Sequence, residues 1–172
     1  SAACCVERRM DPLIVTAEFD EPMQGRLEAL RRAHFPPERN HIPAHCTLFH
    51  ALPGAMEAEV LARLTLPGDR CARIGPPRFT GRGVALAVEA PGLAALRAAL
   101  AREWQAVLTP QDRQGWRGHV TVQNKVAPEA ARALAARLQV DWQGSLEARL
   151  AALRLWRYRG GPWEAITRIA AG

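Results

Sequence analysis

The stretch HCTLFH, residues 45–50, places a histidine and a threonine two positions apart at the start of an apolar segment. The stretch HVTVQNK, residues 119–125, repeats this H-x-T-x pattern, again with an apolar fourth residue. From five histidines and seven threonines in 172 residues, about 0.2 H-x-T matches are expected by chance. The two matches therefore predict a shared role for two distant parts of the chain.

The elements predicted around the two motifs occur twice in the same order. Strand patterns at residues 13–19 and 84–90 each precede a helical pattern, a polar loop, an H-x-T-x strand and a second helix. The opening strands are 71 residues apart and the motif histidines are 74 residues apart. This order predicts an internal duplication, and the alternation of strands and helices predicts an α/β or α+β sheet with helices packed outside.

The end of the chain is ambiguous by pattern. The segment LEARLAALRLWRY, residues 146–158, fits both a strand and a helical stripe of apolar residues. We interpret it as a strand, followed by a last strand in WEAITRIA, residues 163–170.

Length and composition indicate one globular domain, with 48% apolar and 23% charged residues. We expect this domain to span residues 12–172, and residues 1–11 to be a disordered tail or of artificial origin, with Met10 as a candidate natural start. The apolar runs are far shorter than the roughly 20 residues of a membrane helix, so no membrane partner is expected. The cysteines form neither a metal-binding pair nor a disulfide framework, which predicts a cytoplasmic location. A monomer is expected.

The net charge of +6 comes from twenty-two arginines and one lysine, Lys125. This balance favours anionic partners such as nucleotides or RNA, and DNA is not expected. A codon bias toward arginine explains the same composition, because the arginines are spread along the chain.

Successive side chains on a strand point to opposite faces, so alternate residues of each motif share a face. These residues are His45, Thr47 and Phe49 in the first strand, and His119, Thr121, Gln123 and Lys125 in the second. If the two halves pack around an approximate two-fold axis, both faces line one groove. The groove then contains two imidazoles and two hydroxyls.

This set of side chains suits cleavage of a phosphodiester without a metal or cofactor. One neutral histidine accepts a proton from the attacking oxygen, and a second, protonated histidine gives one to the leaving oxygen. The threonine hydroxyls hold the non-bridging oxygens.

The sequence resembles the two-histidine (2H) phosphoesterases, a superfamily that includes 2′–5′ RNA ligase-like proteins and 2′,3′-cyclic-nucleotide phosphodiesterases. The resemblance is carried by HCTL and HVTV, and more loosely by the order of elements from about residue 12 to 170. It implies a bilobed α+β fold with a pseudo-two-fold duplication and two antiparallel sheets facing a central cleft. It also implies hydrolysis of 2′,3′-cyclic phosphates of nucleotides or RNA ends, and in some members action on 2′–5′ linkages.

The resemblance implies roles for four residues. His45 and His119 are the expected acid and base, and Thr47 and Thr121 are expected to bind phosphate. The chain departs from many relatives at Gly118, where proline is common, and by having Lys125 where an arginine often follows the motif.

Other residues are candidates for ligand contacts, each with a structural alternative. Lys125 is predicted to bind phosphate, or else to end the strand in solvent. Arg117 and Trp116 suit a nucleotide, with charge for phosphate and a ring for the base, although Trp116 also suits packing. Phe49 suits stacking on a base or filling the core. Arg39 and His41 precede the first motif, at the mouth of the cleft or in solvent.

Two other classes of function stay open. One is an RNA- or nucleotide-binding module with weak or no turnover, and another is a phosphoesterase for a non-nucleotide cyclic phosphate. A zinc site formed by His41, His45 and His50 is not expected, because the last two lie on opposite faces of a regular strand and no paired carboxylate or cysteine accompanies them.

Overall fold

The computed structural model describes residues 11–171 and shows the α+β fold that the resemblance implies. Within these residues, seven β-strands are interspersed with five α-helices. They are β1 Leu13–Phe19, α1 Met23–His34, β2 Cys46–Leu52, α2 Glu57–Arg63, β3 Cys71–Phe79, β4 Val84–Glu89, α3 Pro91–Glu103, α4 Pro110–Arg113, β5 His119–Gln123, α5 Pro128–Trp142, β6 Leu146–Arg157 and β7 Glu164–Ala170.

The predicted tail lies almost entirely outside the described residues, which begin at Asp11. Asp11 itself forms an ion pair with Arg159 at 3.5 Å, so it belongs with the folded part of the chain.

All seven strands hydrogen-bond into one antiparallel sheet in the order β1-β2-β5-β4-β3-β6-β7. β6 also pairs with β1, so six of these strands close into a barrel. The link between β2 and β5 is a single residue pair, Cys46 and Val120. The two separate sheets of the duplication hypothesis are not confirmed, since hydrogen bonds join the strands of both halves.

The ambiguous segment forms β6, as we interpreted it. Its first residues pair with β3, and the rest pair with β1 on one edge and β7 on the other. Leu150, Leu153 and Leu155 are fully buried there. The apolar residues of this segment also fit a helix, but the strand is favoured. Neighbouring strands on both edges bury more of its apolar surface than one face of a helix would bury.

The helices cover the barrel with apolar faces. α5 packs against β3 and β4, and α1 packs against β5 and β1. The buried residues of α5 recur at helical spacing: Ala131, Leu134, Ala135, Leu138 and Trp142. None of the helices between residues 11 and 171 is long and apolar enough to cross a membrane.

Candidate active site

The two H-x-T-x motifs lie side by side in the sheet. β2 and β5 run antiparallel, with Cys46 opposite Val120. One position to either side, the same register sets His45 across from Thr121 and Thr47 across from His119. Cβ atoms of facing residues in antiparallel strands are about 5 Å apart. The four polar side chains therefore form a square on one face of the sheet, while Cys46 and Val120 are fully buried behind them.

Both histidine rings are held in the same way. Nδ1 of His45 lies 2.7 Å from the carbonyl oxygen of Pro43, and Nδ1 of His119 lies 3.0 Å from that of Arg117. A carbonyl oxygen only accepts hydrogen bonds, so Nδ1 carries a proton in each ring. Nε2 is consequently the atom that each ring presents to a ligand, as a base when the ring is neutral and as an acid when it is protonated.

The surroundings of the two histidines differ. His45 is half-buried, whereas His119 is exposed. Burial lowers the pKa of His45 to about 4; the Pro43 carbonyl opposes this shift, and the charges of Arg31, His119 and His50 add to it. His45 is therefore neutral at pH 7 and can accept a proton at Nε2.

Thr47 and Thr121 are half-buried, and the backbone carbonyl of each accepts a hydrogen bond from a side chain outside its strand. The indole N–H of Trp116 donates to the carbonyl of Thr47 at 2.9 Å, and Arg31 donates to the carbonyl of Thr121 at 2.8 Å. Neither threonine hydroxyl hydrogen-bonds to another residue in the described part of the chain, so both can bond to a ligand oxygen.

Two buried arginines connect each half of the chain to the motif strand of the other half. Arg31, on α1, donates to Thr121 of β5, and Arg97, on α3, donates to the carbonyl of Leu48 of β2 at 2.9 Å. Each guanidinium lies over a phenylalanine ring, at 4.1 Å from Phe35 and 4.4 Å from Phe49. These contacts hold the two motif strands in position from outside the ligand face.

α1 also holds the residue that precedes the first motif. Gln24 donates to the carbonyl of Ala44 at 2.8 Å, and the Ala44 amide donates to Glu28 at 2.9 Å. The entry into β2 is thus fixed by polar side chains of one helix face.

The loop before the second motif is attached to β2 through Asp112, which is 1% exposed. Its carboxylate accepts bonds from the backbone amides of His50 and Ala51 and, at 3.0 Å, from Nδ1 of His50. Burial acts to raise the pKa of Asp112, but these hydrogen bonds outweigh it and the pKa is lowered. His50 is accordingly a partner of Asp112.

Phe49 does not face the ligand groove, contrary to the prediction. The register between β1 and β2 shifts by one residue at Leu48, which is a β-bulge. The bulge turns Phe49 into the core, where it is fully buried and packs on Trp104 with ring centroids 5.4 Å apart. Phe49 therefore fills the core, which was the alternative to stacking on a base.

Lys125 does not continue the strand face of His119, because β5 ends at Gln123. Lys125 has a left-handed backbone conformation with φ of 59°, and its amide donates to the side chain of Asn124 at 2.8 Å. The prediction from strand alternation was therefore wrong for Lys125. Its exposed side chain instead lines a groove of about 460 Å³ together with Arg39, His41 and Trp163.

Trp116 and Arg117 lie at the other end of the motif strands. They line a second groove, of about 610 Å³, together with His119 and Phe79. Gly118 fits closely between the Val88 carbonyl and the Trp116 ring, because a Cβ atom there would lie 2.9 Å from the oxygen and 3.0 Å from the indole. This close packing accounts for glycine before the second motif histidine.

The sequence analysis did not identify Trp163, which contacts the first histidine. Its ring centroid lies 5.2 Å from that of His45, with the planes tilted by 57°, and Trp156 supports it at 6.0 Å. Trp163 follows the segment RGGP, and a large ring next to a glycine-proline turn is the only local signal that could have indicated a role.

Polar side chains also continue from β2 onto the neighbouring strands β1 and β6. Thr16 is opposite both Thr47 and Arg154 in the sheet. Arg154 stacks 4.2 Å over Trp156, donates to Glu18 at 2.9 Å, and has an Nε atom that is buried without a hydrogen-bond partner in the described residues. Strand periodicity within the motifs could not indicate this neighbour, which lies two strands away.

The three histidines considered for zinc do not form a cluster. Within residues 11–171, no group of three or more histidine, cysteine or acidic side chains is placed to hold a metal ion.

Comparison with known proteins identifies the family of the chain. Residues 19–162 match the family model of the 2′-5′ RNA ligase superfamily. The chain belongs to this superfamily of 2H phosphoesterases. Membership supports an activity of the phosphodiesterase or ligase type. No curated protein matches the sequence significantly.

The solved structures that share the fold include two proteins that match almost the whole chain. One is TT0787 of Thermus thermophilus, at 16% identity and a TM-score of 0.64, over 92% of this chain and 97% of that one. Another is LigT of E. coli, in a complex with 3′-AMP, at 18% identity and a TM-score of 0.58, over 93% of this chain and 97% of that one.

Proposed function

We propose that this 2H phosphoesterase hydrolyses 2′,3′-cyclic phosphates of nucleotides or RNA ends by acid–base catalysis with His45 and His119, without a metal. The observation that carries the proposal is the pairing of Cys46 with Val120, a register that sets each motif histidine across from the threonine of the other motif. A tetrahedral phosphate placed over the square of these four residues can meet both Nε2 atoms and both hydroxyls at once.

In the proposed reaction, His45 is the base and His119 is the acid. A water oxygen attacks phosphorus while Nε2 of His45, neutral at pH 7, takes the water proton. The bond from phosphorus to one ribose oxygen breaks, and this oxygen takes the proton from Nε2 of His119. The product is a 2′- or 3′-phosphomonoester. His45 then releases a proton to solvent and His119 takes one up, so both histidines return to their starting states.

The phosphate is held by hydrogen bonds and by nearby positive charge. The hydroxyls of Thr47 and Thr121 donate to the non-bridging oxygens, where negative charge increases in the transition state. Arg117 and Lys125 line the grooves at the two ends of the motif strands, and their charges favour binding of the parts of the substrate that flank the reacting phosphate. Trp116 is the candidate stacking ring at the His119 end.

The ligand in the LigT structure is consistent with this substrate class. Opening of a 2′,3′-cyclic phosphate yields a nucleoside 2′- or 3′-monophosphate, and 3′-AMP is such a molecule. Cleavage of 2′–5′ linkages uses the same acid and base, with a ribose oxygen as the leaving group.

The test is hydrolysis of 2′,3′-cyclic AMP followed by phosphorus NMR. We expect His45→Ala and His119→Ala each to lower kcat by roughly 10²- to 10⁴-fold, because each removes one proton transfer. The control is His34→Ala, which removes a histidine of α1 outside the site and should leave kcat unchanged.

Near-normal turnover in either catalytic variant would remove that histidine from the mechanism. Binding of the cyclic nucleotide without conversion by the unmodified protein would favour the binding module. Conversion of other cyclic phosphates but not of nucleotides would favour the non-nucleotide phosphoesterase.

A further inference from the structure

Two grooves begin at opposite ends of the catalytic square. β2 and β5 are antiparallel, so the residues before His45 and after Thr121 lie at one end, and the residues before His119 lie at the other. The groove with Arg39, His41 and Lys125 is at the first end, and the groove with Arg117 is at the second. A cyclic mononucleotide has a single nucleoside, which occupies only one of them.

The groove at the first end, which we call the Lys125 groove, is defined by Arg39, His41, Lys125, Phe35 and Trp163. It combines two cationic side chains and a histidine with two aromatic rings. Glu38 is the single acidic residue among its lining residues. This is the chemistry that binds a nucleic acid strand, with cations for the phosphate and rings for stacking the base.

The Lys125 groove starts directly beside the reacting atoms. Trp163 both lines this groove and contacts the ring of His45, with centroids 5.2 Å apart. Lys125, whose backbone has the left-handed conformation, is exposed and is one of the residues that line the groove. The left-handed backbone conformation costs more free energy for lysine than for glycine. Such costs are common at binding sites, where a particular side chain is needed.

We propose that the Lys125 groove is a second nucleotide subsite, and that the preferred substrate is an RNA end of at least two nucleotides rather than a free cyclic mononucleotide. This inference rests on the proposed function for the location of the cyclic phosphate at the histidines. The subsite binds the phosphodiester next to the terminal nucleotide through Arg39 and Lys125, and its base against Trp163.

The test compares two substrates that have the same reacting end. These are 2′,3′-cyclic AMP and the dinucleotide ApA with a 2′,3′-cyclic phosphate at its 3′ end. We expect kcat/KM to be about tenfold or more higher for the dinucleotide, since one stacked base and one charge contact contribute this much or more. Arg39→Gln should remove most of this advantage and change kcat/KM for the mononucleotide by less than about twofold, because the mononucleotide does not extend to Arg39.

The matched control is Arg32→Gln, which removes the same charge from an exposed position on α1 outside both grooves. It should leave the ratio of the two kcat/KM values unchanged. Equal kcat/KM for the two substrates, or the same effect of both arginine variants, would overturn the second subsite.

A binding measurement separates this inference from the proposed function. If neither substrate is hydrolysed, the proposed function fails, and calorimetry with ApA carrying a 3′-phosphate still tests the groove. A Kd that rises about fivefold or more in Arg39→Gln, but not in Arg32→Gln, would support the subsite. An unchanged Kd would rule it out.

Discussion

At the scale of single residues, the two motif histidines have the same tautomer but different environments. Each ring donates from Nδ1 to the carbonyl of the residue two positions earlier. His45 is covered by Trp163 and half-buried, whereas His119 is exposed. The same four-residue pattern therefore places one histidine in a half-buried environment and the other in an exposed one. The difference comes from residues outside the motifs.

This difference leads to a pH prediction for Trp163→Ala. Loss of the indole exposes His45 to water, so its pKa should rise from about 4 toward the ordinary value of 6.5. A base must be unprotonated, so the acid limb of kcat/KM for 2′,3′-cyclic AMP should move to higher pH. The charges of Arg31, His119 and His50 remain in the variant and keep part of the shift.

The control is Trp163→Phe, which keeps an aromatic ring over His45 and should move the acid limb much less. NMR titration of the His45 ring nitrogens measures the same change without turnover. An acid limb and a titration midpoint that stay in place in Trp163→Ala would show that Trp163 does not shield His45.

At the scale of elements, the helices position the two strands through buried polar contacts. Arg31 is 3% exposed and fills three roles: it donates to Thr121, donates to Asn40 at 3.2 Å and covers Phe35. Arg97 makes the corresponding contact from α3 to Leu48. Such crossed contacts make the separation of the two histidines depend on both helices.

Replacement of Arg31 tests this dependence. Arg31→Met keeps most of the apolar stem but leaves the carbonyl of Thr121 without its donor, so the free energy of unfolding should fall by about 1–3 kcal/mol. Because Thr121 is displaced, kcat should fall by about tenfold with little change in KM. Arg32→Met, at the neighbouring exposed position, should change stability by less than about 0.5 kcal/mol and leave kcat unchanged.

Urea unfolding and steady-state kinetics measure these effects. Equal effects of the two variants would contradict a specific role for the buried arginine. A loss of stability with normal kcat would limit Arg31 to folding.

Asp112 has a comparable role between α4 and β2. Asp112→Asn removes the charge that accepts two backbone amides and the His50 ring, so the free energy of unfolding at pH 7 should fall by about 2 kcal/mol. Since the folded pKa of Asp112 is lowered, its contribution is complete above the unfolded value near 3.8 and is lost as pH falls through the folded pKa.

Urea unfolding of both proteins at several pH values tests the sign. The difference between wild type and Asp112→Asn should be constant above about pH 5 and shrink at lower pH. A difference that grows on acidification would show that the carboxylate is not stabilised in its ionised form. Glu147→Gln, at an exposed carboxylate, serves as the control.

At the scale of the whole molecule, the proposed reaction requires a site assembled from distant parts of the chain. It does not require a metal ion. In this proposal the two imidazoles supply the acid and base, and the two threonine hydroxyls hold the reacting phosphate. Hydrolysis of 2′,3′-cyclic AMP should therefore persist in excess EDTA at an unchanged rate. A metal-dependent phosphodiesterase assayed in parallel controls for effective chelation, and activity lost in EDTA and restored by a divalent cation would contradict the mechanism.

The strand and helix order was largely predictable because it depends on local periodicity. β1 spans the predicted residues, and α5 shows the expected apolar stripe. Two predictions on side-chain direction failed for identifiable reasons. Phe49 is turned inward by a bulge in β2, and Lys125 leaves the strand through a left-handed turn. Both depend on pairing with other strands, which alternation within one segment does not contain.

By itself, the sequence determined the two H-x-T-x strands, the order of the elements and the family to which the chain belongs, since these follow from residue type and spacing. Only the tertiary structure decided that β2 and β5 are neighbours, that Trp163 covers His45 and that a groove begins at each end of the square. The physical reason is that pairing register, burial and ring contacts arise between segments far apart in the chain, so two motifs with the same pattern have histidines with different burial.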